Sequence, residues 1–272
     1  LQAEIQSGRL RVEPDARRNE LLSVIKQGLK DFSVSRARVK WGIPVPEQPD
    51  HVLYVWVDAL SNYVTALGLA DEGPLYRRFW AEGGERLHLI GKDIIRFHCL
   101  YWPALLKAAG LAWPNRIAAH GFITKNGRKL SKTTGNVIDP EALVAEYGPD
   151  AVRYFLLREG TYGQDWDFTD QAFVTRFNAD LANDYGNLVS RALTMVGKYC
   201  GGRVPARPAA PAGTVEAFEQ RAQLEAGHFT GPVLQRYEAL DFSGALAETW
   251  SWIAQLNQRI VAIEPWVLAK DS

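Results

Sequence analysis

Apolar residues recur along this chain with two different periods, and the periods divide it into helices and strands. In "ARRNELLSVIKQGLKD", residues 16–31, Leu21, Leu22, Ile25 and Leu29 share one helical face while Arg17, Arg18, Lys26 and Lys30 lie elsewhere. That spacing predicts an amphipathic surface helix. Two prolines and Gly42 in "FSVSRARVKWGIPVP" interrupt regular structure before "HVLYVWVD". This run is rich in β-branched and aromatic residues and too short for a helix, so residues 51–57 are predicted as a buried strand. Asp58 is then expected to cap the helix "ALSNYVTALG", with Gly68 supplying a left-handed end. "RLHLIGKD" repeats the arrangement: a strand over 86–90, a turn at Gly91 and a helix from about Asp93 to Ala109.

A third apolar run, "RIAAHGFIT" at 116–124, precedes a glycine-flanked basic loop, and "DPEALVAEYGPDAVRYFLLREG" reads as two helices divided at Gly148 and Pro149. Strands alternating with helices predict a parallel sheet covered by helices. From Asp170 to Lys198, and again from Thr214 to the end, only helical periodicity remains, with "GGRVPARPAAPAG" (201–213) as a Pro/Ala/Gly-rich connector. The expected fold class is α/β followed by all-α, in two domains, 1–169 and 170–272.

Composition narrows the functional classes. At 272 residues, 47% hydrophobic and 23% charged, the chain has the make-up of an ordinary globular protein with a real core. Lys+Arg and Asp+Glu number 31 each. No global field therefore draws the chain to nucleic acid, and any such binding must use a local basic patch with stacking. Cys99 and Cys200 form no CxxC pair and no Cys/His cluster at zinc spacing, which predicts a reduced, cytoplasmic protein without a zinc knuckle. No stretch approaches the roughly 20 consecutive apolar residues of a membrane span. The sequence opens at Leu1 in mid-protein texture without a signal-like organisation, so a fragment or a processed chain is expected.

In open α/β sheets ligands gather outside the carboxyl ends of strands, which singles out three junctions. In "YVWVDALSNY", Trp56, Ala59, Leu60 and Tyr63 can wall a small apolar pocket, with plain core packing as the competing role. In "LIGKDIIRFH", Gly91 permits close backbone approach and Asp93 can accept from a ribose hydroxyl or an amine, or simply cap a helix. Ile94 and His98, four apart, share a helix face. The third junction is "AAHGFITKNGRKLSKTTGN", whose Lys129 and Lys132 suit neutralisation of a polyphosphate; Gly127 and Gly135 would let the loop close and open. It is not a Walker loop, and no GxGxxG occurs in the chain.

"GRKLSKTTGN" resembles the Lys-Met-Ser-Lys-Ser signature of class I aminoacyl-tRNA synthetases. Six ordered segments spanning nearly the whole chain narrow the resemblance to the methionyl-tRNA synthetase family: "SVSR...WGIPVP", "YVWVDALSNYVTALG", "LHLIGKDIIRFHCLYWPALLKAAG", "HGFITKNGRKLSKTTGN", "DPEALVAEYGPDAVRYFLLRE" and "FNADLANDYGNLVSR". The leucine and cysteine enzymes of the class fit Trp56 and His98 less well. The resemblance implies the second half of a class I Rossmann-type catalytic domain followed by an anticodon-binding helical bundle. It also implies activation of methionine with ATP, accompanied by Mg2+, and transfer to initiator and elongator methionine tRNAs.

Carried over residue by residue, Trp56, Ala59, Leu60, Tyr63, Ile94 and His98 match the methionine side-chain pocket. Gly91, Asp93, His120 and Gly121 match adenosine-side positions, and Lys129 and Lys132 match the signature lysines, with Arg36 as an active-site arginine. Asn183, Asn187, Arg191 and Trp266 match the anticodon-reading positions, although a spacing of four alone would mean only a solvated polar face. The signature itself departs conservatively, to Lys-Leu-Ser-Lys-Thr. None of His51, His88, His98, His120 and His228 sits in a His-Ile-Gly-His motif. The family's acidic residue for the amino group and its zinc-bearing insertion are also missing, so no zinc ligands are expected here. The chain is thus expected to be a carboxyl-terminal half, inactive alone and completed by an amino-terminal half; the alternative is a fragment that binds the CAU anticodon without catalysis.

Overall fold

The computed structural model describes residues 1–204, 227 and 230–269. The chain divides into two compact units, Leu1–Gly121 and Phe122–Ser272. The texture change at 169/170 lies inside the second of these.

In the first unit α1 (Gln2–Gln6) leads into β1 (Arg11–Glu13) and α2 (Asp15–Lys26). The amphipathic helix therefore ends earlier than its apolar spacing predicts. Gly28, at φ 94, turns the chain away, and Leu29 is left exposed. Next come β2 (Ser35–Arg36), β3 (Pro44–Val45) and β4 (Gln48–Leu53), which form an antiparallel sheet in the order β2-β4-β3. The predicted strand over 51–57 thus stops at Leu53, and it belongs to this small sheet rather than to the parallel one.

From Val55 to Thr65 the chain is helix α3, with Tyr54 and not Asp58 at its N-cap. The reason is packing. Trp56, Leu60, Tyr63 and Leu67 recur at helical spacing and pack in one cluster with Trp80, Trp102 and Leu106, so burial of a stripe overrides the β propensity of "YVWV". Gly68 is left-handed at φ 84, as expected.

After the short α4 (Pro74–Tyr76) come β5 (Leu87–Gly91), α5 (Trp102–Ala108) and β6 (Arg116–His120). The helix expected from Asp93 is composite: a 3-10 turn, Lys92–Ile94, and a π-helical turn, Phe97–Tyr101, precede α5. The parallel sheet has the order β1-β6-β5, with Arg11↔Arg116 and Leu87↔Arg116 in register. Arg116, nearly buried, ties the edge strand β1 to β6 through Glu13, 2.7 Å away. Leu10, Val12, Leu21, Ile90, Ile95 and Ile117 fill the core behind this sheet.

In the second unit the third apolar run resumes after Gly121 as β7 (Ile123–Lys125), which pairs antiparallel with β8 (Arg128–Lys129) and parallel with β9 (Trp166–Phe168). Between β8 and β9 lie α6 (Pro140–Tyr147) and α7 (Pro149–Glu159), divided where Gly148 and Pro149 predict. Asp139 caps α6 by accepting from the Glu141 and Ala142 amides. Beyond β9 the described elements are helical. They are α8 (Asp170–Arg176), a π-helical stretch Phe177–Gly186, α9 (Asn187–Tyr199), α10 (residues 230–238 described), α11 (Phe242–Ile263) and α12 (Pro265–Leu268). The connector expected at 201–213 is described only to 204, and much of 214–229 lies outside the described residues.

Phe155, Phe168 and Phe173 meet at the centre of this unit, with Phe155–Phe173 ring centroids 4.8 Å apart and each ring almost fully buried. Phe155→Ala should therefore lower the stability of the second unit by about 3–5 kcal/mol. Urea unfolding followed by Trp fluorescence would show this as a lower midpoint, with Phe155→Leu costing distinctly less.

Candidate functional site

Of the predicted apolar pocket, Trp56, Leu60 and Tyr63 lie along α3, and Trp56 and Tyr63 meet His98 of the composite helix. His98 is buried, and its Nδ1 lies 3.0 Å from the Ile94 carbonyl oxygen. A carbonyl only accepts, so Nδ1 carries the proton and Nε2 is left as an acceptor. The Tyr63 hydroxyl, 2.9 Å from Nε2, is therefore the donor of that bond. Burial holds His98 below the ordinary histidine range and raises the Tyr63 phenol, so both groups are neutral near pH 7.

Trp56 stands edge-on to His98 at 6.2 Å and stacks on Phe97 at 3.9 Å. Leu60 is buried, Ile94 half-buried and Ala59 exposed on the same helix as Trp56 and Tyr63. Sequence reasoning missed Phe97, Trp102 and His88. His88 packs edge-to-face on Tyr63 at 4.2 Å and lies 6.0 Å from both His98 and Trp80. The alternation of "RLHLIG", which sends His88 and Ile90 to one buried face, is the signal that could have found it.

At the carboxyl ends of the parallel strands Gly91 pairs with His120, which brings the second and third junctions side by side. A Cβ built on Gly91 would fall 2.8 Å from Asp93 Oδ1, so the absence of a side chain is what lets the Asp93 carboxylate lie over the strand end. Asp93 is exposed inside the 3-10 turn, whose N-cap is Gly91 itself. His120 Nδ1 donates to the carbonyl of the adjacent, buried Gly121 at 2.8 Å. Arg36 is held elsewhere in this unit: its guanidinium covers the Tyr54 ring at 3.7 Å and donates to the Ser33 and Ser35 carbonyls. It lines a cavity of ≈ 610 Å³ with Trp41, Ile43, Val52, Tyr54 and Asp58.

The basic loop is a built turn. Asn126 and Gly127, at φ 54 and 69, form the two-residue connection of the β7–β8 hairpin, the type I′ geometry that Asn-Gly favours. One oxygen of Asp167 accepts from the Thr124 hydroxyl (2.6 Å) and the Gly127 amide (2.8 Å), and these two bonds hold its carboxyl below the ordinary aspartate range. The Asn136 side-chain amide reaches the carbonyls of Arg128 and Lys129, while Ser131 and Asn136 close a second turn containing Gly135 at φ 70. Gly127 and Gly135 therefore serve positive-φ turn geometry within hydrogen-bonded turns. Lys129 and Lys132 project from this frame, both exposed.

Arg191 on α9 and Trp266 on α12 line one cavity of ≈ 290 Å³ together with Ser190, Thr194 and Met195. Asn183 and Asn187 are exposed but do not line it. Asn183 lies in the π-helical stretch, so the even spacing of four runs across a change of helix type at Asn187.

Burial, and secondarily the neighbouring His98, push His88 down to about 4. Because its folded pKa lies below the ordinary 6.5, the unfolded chain takes up the proton first as pH falls. Stability is full above pH 6.5 and is lost from there down to about 4, by about 3 kcal/mol for this group. His98 contributes with the same sign. His88→Phe keeps a ring against Tyr63 but cannot titrate, so urea midpoints at pH 7 and pH 4.5 should differ clearly less for the variant than for the parent chain.

Residues 4–193 match the family described as tRNA synthetases class I (M). The methionine-tRNA ligase of Mycobacterium leprae is 45% identical over 267 residues, covering 96% of this chain and 47% of the relative. That of Mycobacterium bovis is 46% identical, covering 96% and 49%. The crystal structure of Mycobacterium tuberculosis methionyl-tRNA synthetase bound by methionyl-adenylate aligns with a TM-score of 0.88 at 44% identity, covering 99% of this chain and 52% of that one. The chain spans about half the length of the curated relatives it matches. By the match over residues 4–193, this chain belongs to the class I tRNA synthetase family, in its M branch.

Proposed function

We propose that this chain carries the methionine-selecting and phosphate-steadying parts of a methionine-tRNA ligase, together with its anticodon-reading helix. The observation that carries the reading is the Ile94–His98–Tyr63 hydrogen-bond chain beside Trp56, in a family whose solved relative is bound by methionyl-adenylate. An uncharged donor–acceptor pair walled by aromatic rings suits a thioether, which is polarizable, apolar and a weak acceptor. A charged histidine would instead favour a polar side chain.

In the proposed reaction the methionine carboxylate attacks the α-phosphorus of ATP and pyrophosphate leaves. The acyl group then passes to the terminal ribose hydroxyl of the tRNA with release of AMP. Asp93 and His120, at adjoining strand ends, supply acceptors toward the adenosine, with Gly91 and Gly121 allowing close approach. Lys129 and Lys132 neutralise charge building on the departing pyrophosphate, and Arg36 adds a further cation. Among the described residues no cluster of three or more His, Cys, Asp or Glu offers a metal site, so Mg2+ would arrive with the ATP phosphates. No helix among them is long and apolar enough to cross a membrane.

These 272 residues contain no His-Ile-Gly-His sequence, and we propose that adenylate formation requires a polypeptide that supplies it. Strand β5 supports a partner of this kind. Among the described residues it is paired on one side only, to β6, so its other edge can take a further strand. The second reading, an RNA-binding fragment without catalysis, is favoured by the cavity that joins Arg191 to Trp266. Isolated asparagine, arginine and tryptophan side chains of this kind suit single-stranded loop bases, where stacking is worth about 1–3 kcal/mol per base.

Methionine-dependent pyrophosphate exchange separates the two. The chain alone should exchange at background, and addition of the His-Ile-Gly-His-bearing half should restore turnover; full turnover by the chain alone would refute the requirement. In the restored enzyme Trp56→Ala should raise the methionine KM about thirtyfold, a loss of about 2 kcal/mol, with the ATP KM little changed. An unchanged methionine KM would remove Trp56 from the pocket.

A further inference from the structure

Lys198 stands on the same face of α9 as Arg191, seven residues and two turns further on, about 10 Å along the axis. Both line the cavity closed by Trp266. Among the described residues the lining contains no aspartate or glutamate, and it carries two cations in a chain whose acids and bases are equal in number. Among the described residues neither cation has a carboxylate partner. The Lys198 ammonium lies 5.4 Å from the centre of the adjoining Tyr199 ring, which keeps it at the cavity edge.

We infer that Lys198 is a phosphate contact of this site, extending the RNA-facing surface of α9 beyond the base-reading residues to the last turn of the helix. The inference rests on the reading of α9 as RNA-facing. The two cations are too far apart along the helix to hold one base edge. Their chemistry divides the work: the planar fork of Arg191 matches a base edge, and the compact ammonium of Lys198 matches a phosphate, which positions the strand without reading it. Tyr199 beside it offers a ring for the flanking base.

Lys198 also has a plain structural role available. It lies in the last turn of α9, where a cation offsets the negative end of the helix dipole. That role predicts a change in stability and none in RNA binding.

The test is the binding of an RNA hairpin with a CAU loop, and of one with the loop scrambled, to the 272-residue chain over a range of KCl concentrations. Lys198→Gln should weaken both hairpins by the same factor and reduce the slope of log K against log salt by about 0.7, the single-strand value for one phosphate contact. Lys198→Arg should restore the slope, and thermal unfolding of each variant shows that the helix persists. An unchanged slope in Lys198→Gln overturns the inference and leaves Lys198 with its dipole role, whatever the loop preference. A parent chain that binds both hairpins equally, with the slope still falling in Lys198→Gln, upholds the phosphate contact and sinks the base-reading assignment instead. A parent chain that binds neither hairpin sinks both.

Discussion

Five residues of parallel pairing between β5 and β6 decide where the chemistry of the first unit can be. The ladder from Leu87↔Arg116 to Gly91↔His120 sends both strands in the same direction and ends them level. The two loops that follow must then diverge from adjacent points. One turns at once into the 3-10 segment that carries Asp93 and Ile94; the other turns at Gly121. Both halves of the candidate adenosine surface are consequences of that shared end. So is the approach of His98 to Tyr63, because the 3-10 and π-helical turns fix how far the composite helix has rotated by the time it reaches His98.

The two compact units hold their candidate residues in opposite electrostatic regimes. His98 and Tyr63 are withdrawn from water and kept neutral, with one proton assigned to each hydrogen bond. Their contribution is shape and a fixed donor order. Lys129 and Lys132 are left in water, where a cation costs nothing to maintain and loses its hydration only when an anion replaces it. The buried neutral pair and the solvated cations belong to different compact units.

Much of this was legible in the sequence where local chemistry decides the outcome. Gly68 and Gly148 mark real boundaries, Asp139 before Pro140 caps a helix, and Asn126-Gly127, expected only as part of a flexible basic loop, is the dipeptide that a two-residue hairpin favours. What was not legible depended on distant partners. Three residues, Arg11–Glu13, carry no strand signal of their own; they are a strand because β6 offers an edge and Arg116 a counter-charge to Glu13. Trp56 lies in a run with every mark of a strand and is helical because Trp56, Leu60 and Tyr63 then share one face against Trp80 and Trp102. The π-helical stretches before α5 and α9 are equally invisible to periodicity, which is read at the α-helical repeat of 3.6.

The bonds that Asp167 accepts from Thr124 and Gly127 bear on how the lysine loop can move. With one carboxylate oxygen fastening its turn and the Asn136 amide fastening the opposite flank, residues 124–129 travel as a stiff plank. Any swing of Lys129 toward a ligand must carry the whole plank with it, whereas Lys132 rides on the separate turn that ends at Gly135. Asn136 also pairs with Ser131 across that turn, so one asparagine anchors the mounts of both ammonium groups.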